Sequence, residues 1–329
     1  MSRLISDKYR QVQQEYLARF ERLRANEEEL NRIFIDIYGL RGELTPEVAE
    51  KDVTVYRIID APDPEQQKMA YVLSRRDEIV SLISYMVGCM LGRYSPYVEG
   101  LLFAGGRWDA GEIAGRIAAG ARECDFYDEA VGLFLPDGDG NVPITDDEYF
   151  PDDIVARTVE FVRKVYGPET LEENLKFIAD SLGSKGDSPR EVIRNYFLTD
   201  FYKDHLKTYQ KRPIYWQFDS GRQNGFKCLM YLHRYDRDTV GRVRTDYVHE
   251  IQERLRTQLE DAQKSAEGDQ GRARMNAVRR AQKLEKQLIE VNKYEEVVHH
   301  FADMRLPLDL DDGVKVNYAK LSEMLTKIK

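Results

Sequence analysis

The chain has little cysteine, no long apolar run and no excess of positive charge. Its three cysteines, Cys89, Cys124 and Cys228, are odd in number and lie far apart. No CxxC pair occurs, which argues against a disulfide framework and a cysteine-built zinc site, and fits a reducing, cytoplasmic setting. The nearest approach to a membrane span, "IVSLISYMVGCML" at 79–91, is shorter than the roughly 18 apolar residues a span requires. It reads as a buried helix, and no membrane is expected among the partners. The opening "MSRLISDKYRQVQQEY" is polar and helical, unlike a signal peptide. A net charge of -9 argues against a protein that coats phosphates along its whole surface.

Catalytic signatures are missing too. The five histidines have neither metal nor triad spacing, and GxSxG, HExxH and phosphate-loop motifs do not occur. "LLFAGGRWDAG" (101–111) is the one glycine-rich turn that would let a backbone approach a ligand, but it lacks GxGxxG spacing and reads better as a loop joining two helices. In "DGDGNVPITDDE" (137–148), Asp137, Asp139, Asn141 and Glu148 fall at the oxygen positions of a calcium loop. Val142 stands where that loop needs glycine, so an Asp/Gly surface turn is the better reading and no metal is expected.

What is present suffices for a folded, mainly α protein with a small β element. The chain has 329 residues, 42% of them apolar. Tyr9, Val12, Tyr16, Phe20 and Leu23, then Leu30, Ile33, Phe34 and Ile37, repeat at helical steps and predict one long helix over 3–38, stopped at Gly39. A short strand is expected within 42–70, a buried helix at 71–92, and an extended segment with turns at 131–152. Helices are predicted at 153–166, 169–182 and 188–209, each behind a cap or proline signal. "PIYWQF" and "FKCLMYLHRY", joined by "DSGRQNG", read as a β-hairpin. Apolar spacing over 241–300, broken at "SAEGDQGRAR", predicts two antiparallel helices that reverse near 265–274. The segments expected are 1–70, a long helix and connector; 71–210, a helical domain; 211–240, the hairpin; 241–303, the helical pair; and 304–329, a loop and short helix.

Charge is unevenly spread. Lys203 to Arg244 holds ten Lys/Arg against four Asp, about +6 in an acidic chain. Within it, "KRPIYWQFDSGRQNGFKCLMYLHRYDRD" (211–238) interleaves cations with aromatics. Arginine, glutamine and asparagine can pair with base edges, and aromatic rings can stack on bases. The alternative is that Trp216, Phe218, Phe226, Leu229 and Tyr231 pack in a core and the charges only solvate it. A second basic run, "RARMNAVRRAQK" (272–283), contains no acid, and Arg272, Arg279 and Lys283 share one helix face. It fits a phosphate-tracking helix or a solvated one.

"SLISYMVGCMLGRYS" (81–95), "PITDDEYFPDDIVARTVEFVRKVYG" (143–167), "ETLEENLKFIADSLG" (169–183), the stretch 190–252 and "LDLDDGVKVNYAKL" (308–321) together resemble one family. It is the PglX-type adenine-specific DNA methyltransferase of BREX phage-defence systems, and the resemblance is to its C-terminal part. The family's catalytic half carries an Asn-Pro-Pro-Tyr-like tetrad; the nearest string here is "SPY" (95–97), with one proline. The resemblance therefore implies a non-catalytic region with no cofactor of its own, S-adenosylmethionine belonging to a catalytic half in cis or in trans. It also implies double-stranded DNA and other defence-complex subunits as partners. The candidate DNA contacts are Lys211, Arg212, Arg222, Gln223, Asn224, Lys227, Arg234 and Arg237 around the hairpin, and Arg272, Arg279, Arg280 and Lys283 beyond it. A protein-docking module without base reading is the alternative.

Overall fold

The structure, a computed structural model, describes residues 3–268 and 270–328. It is mainly α with small β elements. In chain order the elements are α1 (Ile5–Tyr38), β1 (Arg57–Ile59), β2 (Val72–Ser74), α2 (Arg75–Met90), α3 (Ala110–Ala121) and β3 (Asn141–Ile144). Next come α4 (Ile154–Tyr166), α5 (Leu171–Leu182), α6 (Pro189–Thr199), α7 (Phe201–Thr208), β4 (Tyr215–Asp219) and β5 (Lys227–Tyr231). The chain continues through α8 (Thr239–Arg242), a π-helical stretch Val243–Val248, α9 (His249–Gly268), α10 (Gly271–Met304) and α11 (Val314–Lys320).

Local chemistry sets most boundaries. Gly39 closes α1 in the left-handed region, at φ 68. Asp109, Asp153 and Ser188 cap α3, α4 and α6 by accepting backbone N–H groups of the first turn. Two expectations need correction. The predicted helix over 188–209 is two helices that meet at Asp200. The start of the predicted helix at 71–92 is instead β2, which pairs in parallel with β1.

Strand β5 lies between β3 and β4, antiparallel to both. Both faces of this sheet are covered. Side chains alternate across a strand, so Tyr215, Leu229 and Tyr231 enter one core with α2, α4, α5 and α6. Trp216, Phe218, Cys228 and Met230 enter a second core with α9, α10 and α11. Tyr215, Trp216, Phe218, Phe226 and Tyr231 are therefore core residues, and the Trp216 indole is spent on the Pro213 carbonyl at 3.1 Å. Helices α9 and α10 run antiparallel: Gln252 bonds Asn292 at 2.8 Å, and Gln258, further along α9, bonds Arg280, earlier on α10, at 3.0 Å.

Candidate nucleic-acid interface

The "GRQNG" turn between β4 and β5 is pinned to α10. Glu290 accepts hydrogen bonds from the Ser220 hydroxyl at 2.9 Å, the Gln223 N–H at 2.8 Å and the Gly225 N–H at 3.1 Å. Gln287, almost fully buried, donates to the Gln223 carbonyl at 3.2 Å. Gly225 is required by the close approach: a Cβ there would lie 2.6 Å from Val291 Cγ2. Asn224 adopts φ 54, a conformation that asparagine tolerates better than most residues. The turn thus presents Arg222 and Gln223 to solvent from a fixed backbone.

Along α10, Lys283 lies one turn from Gln287, and Arg272 about 22 Å from it at 1.5 Å per residue. Arg272, Arg274 and Arg279 are exposed and make no hydrogen bond or ion pair among the described residues. Arg280 and Lys283 are engaged: Arg280 sits 3.6 Å from Asp147, and Lys283 pairs with Asp146. Asp146 also accepts from Gln287 at 2.9 Å, so acid is set into the basic strip. The loop carrying these aspartates is held by Arg194, which donates to the carbonyls of Thr145 at 2.8 Å and Asp147 at 3.2 Å and pairs with the buried Asp153.

The twelve candidates fall into three places. Arg222, Gln223 and Asn224 sit on the turn that Gln287 and Glu290 hold, Lys283 lies one helical turn from Gln287, and Arg280, Arg279 and Arg272 follow at increasing distance towards the N-terminal end of α10. Lys211, Arg212 and Arg237 are exposed at the opposite end of the hairpin. Lys227 and Arg234 are interior and cannot reach a duplex as placed. Lys227 shares a strand face with Leu229 and Tyr231, and its ammonium donates to the Leu198 carbonyl at 3.0 Å. Arg234 donates to the carbonyls of Leu91, Asp137 and Gly138. Burial pulls its pKa down to about 10, so it remains charged at neutral pH. Sequence reading missed Glu290 and Gln287. The legible signal was Gln287, a polar residue on the apolar stripe of Leu284 and Val291.

The former calcium-loop residues form a compact turn. Asp137 accepts from the Asp139 and Gly140 N–H groups, each at 3.0 Å, and Asp139 from the Asn141 N–H at 2.8 Å. Burial, then the neighbouring Asp139, pushes the Asp137 carboxyl up to about 7. Among the described residues no group of three His, Cys, Asp or Glu is arranged to hold a metal, and no helix is long and apolar enough to cross a membrane.

A mainly helical scaffold thus surrounds a sheet covered on both faces, with a basic helix that also holds a fixed polar turn. No protein-family model matches the chain. It is 45% identical over 328 residues to the adenine-specific methyltransferase PglX of Lacticaseibacillus casei (strain Zhang) and 39% identical over 317 residues to the adenine-specific methyltransferase BrxX of Escherichia coli O9:H4 (strain HS). These alignments cover 98% and 94% of this chain. The chain belongs to the PglX-type adenine-specific methyltransferase family. It spans about a quarter of the length of these relatives, 24% and 25%.

Proposed function

We propose that this chain is the C-terminal DNA-engaging and assembly region of a BREX-type, phage-defence adenine methyltransferase, cytoplasmic and non-catalytic by itself. The observation that carries the reading is that one helix, α10, exposes arginines unpaired among the described residues in its N-terminal part and locks the backbone of a polar turn further along. Arg272 and Arg279 reach phosphates, which positions the duplex without reading it. Arg222 and Gln223 supply base-edge contacts, which do read it. The methyl donor belongs to the catalytic part, so the chain alone should show no calorimetric binding of S-adenosylmethionine.

The test is Arg222→Ala in the assembled methyltransferase. It should weaken binding to the target site by about 1–3 kcal/mol and leave non-target DNA unaffected. An equal loss on both sequences, or none on either, sinks base reading by the turn.

A second reading, docking of other subunits or of the catalytic part, is favoured by α1. Leu30, Ile33, Phe34, Ile37 and Tyr38 line one face of its C-terminal half, each between 45% and 70% exposed. The two roles use different surfaces and are compatible.

A further inference from the structure

Helix α10 carries a cation at every seventh position over most of its length: Arg272, Arg279, Lys286 and Lys293. A seven-residue step brings a side chain back to nearly the same side of a helix, with a drift of about 20°. The four therefore form one row, about 10.5 Å between neighbours and about 31 Å from first to last. The opposite side of α10, with Leu284, Leu288 and Val291, packs into the core it shares with α9. All four cations are exposed, and none makes a hydrogen bond or ion pair among the described residues.

The acids near the row leave it uncompensated. Glu290 stands between Lys286 and Lys293, but its carboxylate is turned to the Ser220 hydroxyl and to the Gln223 and Gly225 N–H groups. Asp146 and Asp147 reach Lys283 and Arg280, which lie further round the helix. Glu285 and Glu296 lie on the margin away from the turn, and Glu296, three residues past Lys293, closes the row.

The two lysines place charge beside the turn. Arg272 and Arg279 lie about 27 Å and 16 Å along the axis from Glu290, too far to hold a backbone next to Gln223 by themselves. Lys286 and Lys293, one turn before and one turn after Glu290, bracket the level at which Gln223 is held.

We infer that Lys286 and Lys293 are phosphate contacts, and that the whole row meets phosphates along one side of a duplex lying lengthwise on α10. At about 3.4 Å per base pair the row spans roughly nine base pairs. The duplex then passes the turn, and its groove lies before Arg222 and Gln223. The inference rests on the proposed role of Arg272 and Arg279 and says where the DNA runs. An acidic amphipathic helix of a partner protein is the other occupant for such a row, and it requires an apolar line beside the cations. Met275, Val278 and Ile289 are exposed there, but Gln282, Glu285 and Asn292 interrupt them, so nucleic acid fits better.

The test is the salt dependence of duplex affinity in the assembled methyltransferase. Wild type is compared with Lys286→Ala/Lys293→Ala, Lys286→Arg/Lys293→Arg and Arg272→Ala/Arg279→Ala. Loss of two phosphate contacts should make log affinity against log salt shallower by about 1.8, on target and non-target sequences alike. Between about 50 and 200 mM salt, the lysine-to-alanine variant should lose about twelvefold less affinity than wild type. The lysine-to-arginine variant keeps both charges and should keep the wild-type slope. A slope that the arginine variant loses as well overturns the inference, because the effect is then not one of charge. An unchanged slope in Lys286→Ala/Lys293→Ala, beside a shallower one in Arg272→Ala/Arg279→Ala, overturns the inference and leaves the proposed function standing. Unchanged slopes in both overturn phosphate contact by α10 altogether. An unchanged slope with loss of co-purifying subunits assigns the row to an acidic partner protein and likewise overturns the inference.

Discussion

Replacing Glu290 with alanine tests whether the turn is held by α10. The carboxylate accepts three hydrogen bonds at 2.8–3.1 Å, from Gln223 N–H, Ser220 Oγ and Gly225 N–H. Hydrogen bonds to a charged group contribute about 1.5–3 kcal/mol each, but the sum here is smaller. Gln223 is exposed, and its freed N–H returns to water. Gly225 is buried, and its N–H loses the one acceptor it has among the described residues. The expected cost is about 2–4 kcal/mol, most of it from Gly225. Glu290→Gln should cost roughly half, because the amide oxygen still accepts while its NH₂ opposes one N–H donor. Native-state hydrogen exchange of the Gln223 and Gly225 amides reads the effect locally, which suits a chain with two cores that need not unfold as one. Exchange should accelerate in Glu290→Ala, less in Glu290→Gln. Unchanged exchange of both amides in Glu290→Ala would refute the reasoning.

Three further outcomes follow from buried charge. Arg194→Ala strands the Asp153 carboxylate in the interior, so urea unfolding should show a loss of about 3–5 kcal/mol, and a loss under about 1 kcal/mol would contradict the pairing. His205 is buried beside Arg93, and its pKa is driven down to about 3. The unfolded chain then binds a proton that the folded chain refuses, so stability is complete above about pH 6.5 and falls as pH drops towards 3, by about 2 kcal/mol at pH 5. Asp137 acts in the opposite sense. Its carboxyl, raised to about 7, makes stability fall as pH rises from about 4 to 7, and Asp137→Asn should remove that slope from a pH series of unfolding midpoints.

Much of the scaffold was legible. Gly39, the Asp152–Asp153 pair of which Asp153 is the cap, Ser188 and the break before Gly271 are local signals, and local signals survive folding. The parallel pairing of β1 with β2 was not legible, because three-residue strands carry no periodicity. Nor was the junction of β3 with β5, which joins Asn141 to Met230 across the chain. That junction explains the interior Lys227. A lysine on a strand with one face in water reads the same as Lys227, whose strand is covered on both faces, and only the tertiary arrangement separates them. For the same reason the cationic strip could be read from spacing, but its aspartates could not. Asp146 and Asp147 reach α10 only because Arg194 folds their loop against it.

The central claim is that α10 carries a phosphate-contacting face. It is tested most directly by the salt dependence of DNA affinity in the assembled methyltransferase, wild type against Arg272→Ala/Arg279→Ala. Each lost phosphate contact should reduce the steepness of log affinity against log salt by about 0.9, so the double variant should be shallower by about 1.8 and weaker on every sequence alike. An identical slope and affinity in the double variant would contradict the claim and leave α10 a solvated face of a docking module.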